Sequence, residues 1–500
     1  MKRLPLHAFF LAAYFVLALL GLNIDQVRPL VALRPLLLAL AGTALLLILL
    51  RLILRDGLRA AAVTTLLIGL FFTYGHVYHF LEGRGIFLGR HRLLLPLWAG
   101  LAGLGLWWIA RRRSLADLTR ALNIIGAVAL IFPIYQIISF EARSLSAGAS
   151  QTESALRLPQ GQAPDVYFII LDEYTRGDLM QEGFDWDNTE FLHSLEEMGF
   201  VIIPCSQSNY AQTELVLASV LNLDYLPALD ERFANGSGDH ALLRRLIHNS
   251  AVEDAFRDLG YTSIAFETGY AFSEFEDADF YLASSQSVSR SMRSGMNAFE
   301  VMLFNSTAGL AVYDMLLRTV DSPVVQDPLE IKRQQVLYTL DWLPRLDEQA
   351  TGPRFVFAHV LLPHQPFVFG PNGEAVSYPE GVQGEAYVQA YRGQIQFLNQ
   401  RLLGILGQIL ARSERQAVII LQGDTGPGQV SHAGRMQILS ALYLPGVELE
   451  ELPQGLSPVN NFRLVFDLYF GGSYGLLEDR SFFSTYNTPL DFEPIPNSCP

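Results

Sequence analysis

DVYFIILD, residues 165–172, and AVIILQGD, residues 417–424, are the two stretches that decide the fold of this chain. Each is an apolar run of strand length, rich in β-branched residues, and each ends in an aspartate where the chain must turn. In open α/β sheets, ligands collect outside the carboxyl ends of the strands. Asp172 and Asp424 are therefore candidates for holding one cation between them.

Thr213 lies between these two runs, in SNYAQTELVLASVLN (208–222), where an apolar helical pattern begins. A hydroxyl at a helix start, near two carboxylates, is typical of a metal-assisted nucleophile that attacks an anionic ester. A threonine in this position also serves as an N-cap, whose hydroxyl satisfies free backbone N–H groups of the helix. Both interpretations of Thr213 stand on the sequence alone.

The composition of the chain changes sharply near residue 145. Residues 1–150 carry 15 Lys and Arg against 5 Asp and Glu, a net charge of +10, whereas residues 151–500 carry 20 against 45, a net charge of −25. The acidic part argues against nucleic acid as a partner, because phosphate contacts need clustered Lys and Arg. Cys205 and Cys499 are too few for a zinc site or a disulfide scaffold, and we expect them to stay unpaired, with a bridge in an oxidising compartment as the alternative.

Five apolar stretches in the first part approach the roughly 20 residues that span a bilayer as a helix. Lys and Arg flank the start of the first stretch, the second loop and the fourth loop, so these regions are predicted to be cytoplasmic. The odd number of spans then places the C-terminal part outside, in a multi-pass plasma membrane protein with an extracytoplasmic domain. The stretches lie near residues 5–23, 33–54, 60–78, 93–110 and 119–140.

Two observations qualify this topology. The loop at 79–92 carries Arg84, Arg90 and Arg92, yet it is placed outside; contact with lipid phosphates, contact with the acidic domain, and simple tolerance of charge all remain open. Apart from Arg34 near a helix end, the apolar stretches contain no charged residue deep in a span, which argues against a transporter.

Strand-like and helix-like patterns alternate from Asp165 onward, which predicts an α/β fold with a mostly parallel sheet flanked by helices. We predict a transmembrane region with five helices at 1–143, a polar linker at 144–164 and an extracytoplasmic domain at 165–500. The predicted strands are 165–171, 200–204, 261–266, 354–361, 416–422 and 438–444. The predicted helices are 188–198, 213–223, 240–259, 329–346, 386–412 and 458–470.

The order of short motifs carries a resemblance to a known family. Asp172 at a strand end, Thr213 at a helix start, His364 in HQPF and Asp424 in DTG follow one another behind the five apolar stretches. Over about residues 165–445 this pattern resembles the alkaline phosphatase superfamily, specifically the membrane-anchored sulfatase-like enzymes that include lipoteichoic acid synthases and phosphoethanolamine transferases. The resemblance implies an alkaline phosphatase-like domain with sulfatase-like hydrolase or transferase activity on phosphate or sulfate esters of lipids or surface glycans.

The resemblance also implies roles for individual residues. It makes Asp172, Thr213 and Asp424 ligands of a divalent manganese, magnesium or zinc ion, with Thr213 as the catalytic nucleophile. It makes His364 a substrate-binding residue. Oxygen ligands suit manganese or magnesium, and an added histidine would favour zinc.

Two departures from the family pattern bear on activity. Thr425 stands where the relatives have a histidine that completes the metal shell, so we predict that His432 substitutes as a metal ligand, and expect His359 to pack in the core. Loss of that ligand also supports an alternative, a catalytically impaired pseudoenzyme that acts as a membrane-tethered binding or scaffold protein. Cys205 lies in CSQSN, without the proline and arginine that formylglycine maturation needs, which argues against formylglycine-dependent sulfatase chemistry.

Overall fold

The computed structural model divides the chain into two compact units, residues 1–142 with 289–326 and residues 143–288 with 327–500. Most of the predicted linker lies outside the described residues, and residues 144–146 continue the preceding helix. The structure describes residues 4–82, 84, 86–146, 156–159, 162–235, 240–284, 298–312, 328–349, 352–378, 381–413, 415–446, 452–497 and 499.

The elements of both units follow in chain order. The α-helices are α1 His7–Leu22, α2 Leu33–Leu54, α3 Gly57–Glu82, α4 His91–Arg111, α5 Ala116–Ser146, α6 Gly177–Phe184, α7 Thr189–Glu197, α8 Thr213–Val220, α9 Leu226–Leu229, α10 His240–His248, α11 Ala251–Asp258, α12 Ala298–Asn305, α13 Gly309–Val312, α14 Pro328–Trp342, α15 Glu385–Arg412, α16 His432–Met436 and α17 Asn461–Tyr469. The strands are β1 Asp165–Leu171, β2 Val201–Ile202, β3 Thr262–Phe266, β4 Phe280–Leu282, β5 Arg354–Val360, β6 Phe367–Phe369, β7 Ala375–Tyr378, β8 Ala417–Gly423, β9 Ser440–Tyr443, β10 Ser481–Thr485 and β11 Thr488–Ile495.

Helices α1 to α5 occupy the five apolar stretches of the first unit. Within the described residues, four helical spans are long and apolar enough to cross a membrane: Pro29–Leu54, Gly57–Glu82, His91–Arg111 and Ala116–Ser144. Helix α1 is apolar but has only 16 residues, fewer than the roughly 20 that a bilayer requires. The prediction of an apolar helical region is confirmed, with four helices of spanning length rather than five.

The short helices α12 and α13 belong to the first unit although they follow the acidic part in sequence. The Gly75 N–H donates to the Ser306 carbonyl at 3.0 Å, and the Ala308 N–H donates to the Phe71 carbonyl at 2.8 Å. Glycine at 75 permits this approach, because a Cβ there would lie 2.1 Å from a carbonyl oxygen of residue 305. The prediction that residues 165–500 form one domain does not anticipate this insertion.

The second unit is built on a seven-stranded sheet in the order β2-β9-β8-β1-β5-β3-β4. All neighbouring strands are parallel except β9, which runs antiparallel to both β8 and β2. The six predicted strands are present, so the predicted mostly parallel α/β sheet is confirmed. Helices cover both faces of the sheet: Phe168 and Ile170 point into one apolar cluster and Ile169 and Leu171 into another, each fully buried side chain contributing roughly 1.5–3 kcal/mol.

A disulfide bond links the C-terminal residues to the rest of the second unit. Cys205 and Cys499 are bonded, with their Cα atoms 5.3 Å apart, so the expectation of unpaired cysteines was wrong. The hairpin β10–β11 explains the pairing, since Phe482 forms a bridge with Tyr210 and the Asn497 side chain donates to the Cys205 carbonyl at 3.0 Å. A sequence separation of 294 residues gave no sign of this proximity.

Removing this disulfide should destabilise the second unit. Replacing both cysteines with serine is expected to lower the free energy of unfolding by about 2–5 kcal/mol, because the bridge closes a very long loop in the unfolded chain. Thermal unfolding of the full chain in detergent, with and without reductant, measures the effect. Reductant should lower the melting temperature of the wild type and leave the double serine variant unchanged; equal melting temperatures for all four samples would contradict the prediction.

Candidate functional site

The carboxyl ends of β1 and β8 carry the two aspartates of the predicted site. The strands are parallel neighbours with Leu171 opposite Gly423, so Asp172 and Asp424 leave the sheet side by side at one edge. Both side chains are buried, and a carboxylate oxygen of each lies within 4.8 Å of the other. Two carboxylate oxygens that each lie about 2.0–2.6 Å from one shared ion are separated by a distance in this range.

His359 is the third member of this cluster. It lies on β5, opposite Ile170 of β1, and one of its ring nitrogens is within 4.8 Å of the Asp172 and Asp424 oxygens. Its Nδ1 hydrogen-bonds to the Ser273 hydroxyl at 3.2 Å, whereas its buried Nε2 has no hydrogen-bond partner in the described part of the chain. His359 is buried in the core, as expected, and its ring also reaches the two carboxylates, a proximity that the expectation did not include.

Thr213 contributes a hydroxyl to the same cluster. Its Oγ1 donates to Asp424 Oδ2 at 2.6 Å. Thr213 is the first residue of α8 and follows the N-cap residue Gln212, whose backbone is extended and whose side chain makes no capping hydrogen bond. The threonine hydroxyl is thus directed at the carboxylate rather than at the backbone N–H groups of the helix.

The backbone around Asp424 holds its carboxylate in place. Asp424 Oδ1 accepts from the Glu173 N–H at 2.9 Å and from the Thr425 N–H at 2.7 Å. Gly423 lets the chains approach, because a Cβ there would lie 2.2 Å from the Tyr174 carbonyl oxygen. Glu173 has a φ of 63°, a conformation that costs a side chain of this kind about 1–3 kcal/mol and that turns its N–H toward Asp424.

A second layer of charge surrounds the aspartates. The buried Glu173 carboxylate pairs with the Arg435 guanidinium, and His364 Nε2 lies 3.8 Å from the same carboxylate. Arg435 also donates to the carbonyls of Gly426 and Ala211. Arg435 is therefore fixed by three partners, and the half-buried His364 stands at the edge of the site. Sequence reasoning did not single out Glu173 or Arg435 as a pair.

The electrostatics of the cluster favour a bound cation. Burial, the largest influence, raises the pKa of Asp172 above its ordinary value; the His364 ring opposes this, and the nearby Asp424 carboxylate raises the pKa further. A buried carboxylate is costly in its charged form unless a partner or a cation compensates it. A divalent ion between Asp172 and Asp424 would supply that compensation.

The donor set fits a divalent cation despite the substitution at position 425. Thr425 is fully buried, and its hydroxyl has no hydrogen-bond partner among the residues that the structure describes. Its N–H donates to Asp424 Oδ1 at 2.7 Å, so position 425 lies directly beside the carboxylate. His359 supplies the imidazole from the neighbouring strand instead, giving two carboxylates, one imidazole and the Thr213 hydroxyl, a combination that suits zinc or manganese.

The structure does not bring His432 into this cluster. Its exposed ring stacks on Phe483 with the ring centroids 3.6 Å apart. Ser431 caps helix α16 by accepting from the Gly434 N–H at 3.1 Å, and His432 follows as the first helical residue, facing the hairpin β10–β11. The histidine with the aspartates is His359. The sequence shows His359 near the carboxyl end of a strand, but only the structure shows that this strand lies beside β1.

The hairpin β10–β11 also lies beside Thr213. Gln212 Nε2 donates to the Ser484 hydroxyl at 3.1 Å, which places the hairpin beside the start of α8. Glu214, next to Thr213, is buried and pairs with His240, whose ring lies 5.3 Å from that of Tyr486. These residues form a wall of the site that sequence reasoning missed, because the contacts of Gln212 and His240 with the hairpin join segments more than 200 residues apart.

Neither a protein-family model nor a curated protein sequence matches the chain. Among solved structures, the integral membrane protein lipooligosaccharide phosphoethanolamine transferase A (EptA) from Neisseria meningitidis matches with a TM-score of 0.45 and 13% identity, over 93% of this chain and 94% of its own. The C-terminal periplasmic domain of EptC from Escherichia coli, in complex with zinc, matches with a TM-score of 0.44 and 12% identity, over 68% of this chain and 95% of its own.

A third match is a hydrolase. The phosphonate monoester hydrolase of Agrobacterium radiobacter has a TM-score of 0.41 and 15% identity, over 64% of this chain and 80% of its own. The first two of these structures are phosphoethanolamine transferases, one of the groups that the predicted resemblance names. Since every TM-score lies below 0.5, the activity and ligands of this chain have to be argued from its own site.

Proposed function

We propose that this chain is a membrane-anchored, divalent-cation-dependent enzyme that hydrolyses or transfers phosphate or sulfate esters, with Thr213 as its nucleophile. One observation carries the proposal: ligand atoms of Asp172, His359 and Asp424 lie within 4.8 Å of one another, and the Thr213 hydroxyl lies 2.6 Å from Asp424. Isolated strand-end aspartates or a capping threonine would not require this convergence.

The cation is held by Asp172, Asp424 and His359, with the Thr213 hydroxyl as a further ligand. When bound, it stabilises the deprotonated hydroxyl and screens the negative charge of the incoming ester. Zinc or manganese fits the mixed oxygen and nitrogen set better than magnesium, which prefers oxygen ligands alone.

The residues of the chain carry the remaining steps. Thr213 Oγ1 forms a bond to phosphorus while its proton passes to Asp424 Oδ2, the atom to which it already donates. The bond between phosphorus and the leaving alcohol breaks, and His364 at the edge of the site protonates that alcohol. Water or an acceptor hydroxyl then attacks phosphorus and gives its proton to His364. The bond between phosphorus and Thr213 Oγ1 breaks, Thr213 takes its proton back from Asp424 Oδ2, and phosphate or the transferred ester leaves.

The location of the α/β domain beside the membrane indicates the class of substrate. With the cytoplasmic loops assigned by their Lys and Arg content, the α/β domain lies outside the plasma membrane, where the Cys205–Cys499 disulfide is stable. Anchoring beside the bilayer raises the effective concentration of membrane-borne esters. We therefore assign lipids or surface glycans as the substrate class.

Thr425 supports a second candidate function, a tethered binding or scaffold protein whose cation site is impaired. The enzyme and the scaffold differ in whether they form a phosphothreonine and release an alcohol. Full-length protein incubated with zinc or manganese and a lipid phosphoester should acquire a phosphate on Thr213, detected by mass spectrometry, and should release the alcohol. Bound cation without phosphothreonine or alcohol release, across phosphate and sulfate esters, would favour the scaffold.

Cation binding should weaken as the pH falls. The pKa of Asp172 in the cation-free site is raised, so this carboxyl stays protonated to a higher pH than an ordinary aspartate and competes with the ion. Lowering the pH through the raised pKa is expected to increase the Kd about tenfold for each pH unit, because one proton must be displaced. Calorimetric titrations with zinc or manganese at several pH values measure the slope; a Kd independent of pH in the acidic range would contradict the prediction.

A further inference from the structure

The segment 79–92, which includes the last residues of α3 and the first residues of α4 and is here called the basic loop, carries a charge that the proposed function does not use. Arg84, Arg90 and Arg92 stand against one acidic residue, Glu82. The three arginine side chains are exposed. None of them forms an ion pair with a carboxylate among the described residues of the helical unit, where Glu82 lies instead beside a histidine. Three cationic groups are therefore available to a ligand.

Exposed aromatic rings accompany these cations. The Arg84 guanidinium lies 3.8 Å from the centre of the Phe80 ring, and that of Arg90 lies 5.4 Å from the Phe87 ring. Phe80 is 55% exposed and Phe87 is 66% exposed. Apolar rings with charged groups directly above them are typical of the boundary between lipid headgroups and acyl chains.

The basic loop lies at the same end of the helical unit as the short helices α12 and α13. Residues 305–308 bond to the backbone of α3 near Gly75, and Ala311 packs against Tyr74 and Leu94. These positions lie close to the loop and far from the arginines at 111–113. Positive charge at this end departs from the usual distribution, in which Lys and Arg concentrate in cytoplasmic loops. An anionic ligand that binds these arginines explains why positive charge is found at this end of the helices.

We propose that the basic loop is a binding site for an anionic phospholipid. Arg84, Arg90 and Arg92 hold the headgroup phosphate, and Phe80 and Phe87 contact the upper part of the acyl chains. A guanidinium donates two parallel hydrogen bonds to phosphate oxygens, a geometry that ammonium groups do not offer. The exposed rings favour a lipid over free phosphate, which would leave them in water. The site is separate from the cation cluster at Asp172 and Asp424.

Photo-crosslinking in the full-length protein tests this site locally. The protein in neutral-detergent micelles is incubated with phosphatidylglycerol that carries a photoactivatable group near the headgroup, and labelling of peptide 79–92 is measured by mass spectrometry. Unlabelled phosphatidylglycerol should compete, and phosphatidylcholine should not. The triple variant Arg84→Gln, Arg90→Gln, Arg92→Gln should bind about 100-fold more weakly, since each arginine contributes roughly a factor of five near an anionic surface.

A matched control comes from the other end of the helices. Arg111 and Arg112 also lie beside exposed tryptophans. Replacing these two and Arg113 with glutamine should leave labelling of the basic loop unchanged. Replacing Arg84, Arg90 and Arg92 with lysine keeps the charge but removes the paired hydrogen bonds, so labelling should lie between that of the wild type and that of the glutamine variant, with an unchanged melting temperature. Absence of labelling in the wild type, equal competition by phosphatidylcholine, displacement by inorganic phosphate at matched concentration, or full labelling of the glutamine variant would overturn the proposal.

Discussion

Thr213→Ala should abolish turnover of phosphate and sulfate esters, with a loss of about 10⁴-fold or more in kcat. The variant lacks the oxygen that takes up the phosphoryl or sulfuryl group, and no other hydroxyl is bonded to Asp424 within the described chain. The cation should stay bound within about tenfold of the wild-type affinity, because two carboxylates and an imidazole remain. Steady-state kinetics and the metal content of the purified protein measure the two quantities separately.

Thr213→Ser is the matched control for this loss. Serine keeps the hydroxyl at the first position of α8 and removes only a methyl group, so we expect kcat within about 100-fold of the wild type and a phosphoserine at position 213. Turnover that survives Thr213→Ala, or a covalent phosphate that appears on another residue, would show that the nucleophile is elsewhere.

His359→Ala is expected to weaken cation binding by at least about 100-fold and to reduce turnover in proportion. The imidazole is the only nitrogen among the described residues of the cluster, and its Nε2 is buried with no partner there. Zinc affinity should fall more than magnesium affinity, because nitrogen ligands favour zinc. Calorimetric titration of each metal into cation-free protein gives both values.

His432→Ala provides the contrast, since that exposed ring stacks on Phe483 and stands apart from the aspartates. The cation affinity of the His432→Ala variant should stay within about threefold of the wild-type affinity, because the substitution removes no metal ligand. Adding Thr425→His to His359→Ala should restore part of the lost affinity by returning an imidazole next to Asp424. Equal losses for His359→Ala and His432→Ala would contradict the assignment of His359 as the ligand.

The sheet and its two aspartates could be predicted from the sequence because β1 and β8 are buried on both faces. Such strands appear as continuous apolar runs, and the residue that follows each run marks the carboxyl edge of the sheet. Asp172 and Asp424 therefore emerged as a pair without any knowledge of strand order. Thr213 followed from the start of a helical pattern.

His359 could not be assigned in the same way. Alternation along β5 indicates which face a side chain points to, and a histidine inside a strand is then expected to be a core residue. Only the pairing of Ile170 with His359 shows that this ring lies next to Asp172 and Asp424. Strand order in a sheet depends on the whole chain, and a single sequence does not reveal it.

The remaining differences also arise from long-range contacts. Cys499 reaches Cys205 only because the hairpin β10–β11 folds back on Tyr210, and the Glu173–Arg435 pair joins segments 262 residues apart. Helices α12 and α13 are short and apolar, and their place in the helical unit depends on backbone bonds to α3. Local periodicity carries no information about such contacts.

The metal content of the purified full-length protein tests the central claim most directly. After exposure to zinc or manganese and removal of unbound metal, elemental analysis should find about one divalent ion for each wild-type chain and almost none for Asp424→Asn, whose amide replaces a carboxylate ligand. Melting temperatures of both cation-free proteins control for folding. A wild-type chain that retains no divalent ion, or an Asp424→Asn chain that retains as much as the wild type, would contradict the claim that Asp172, His359 and Asp424 form a cation site.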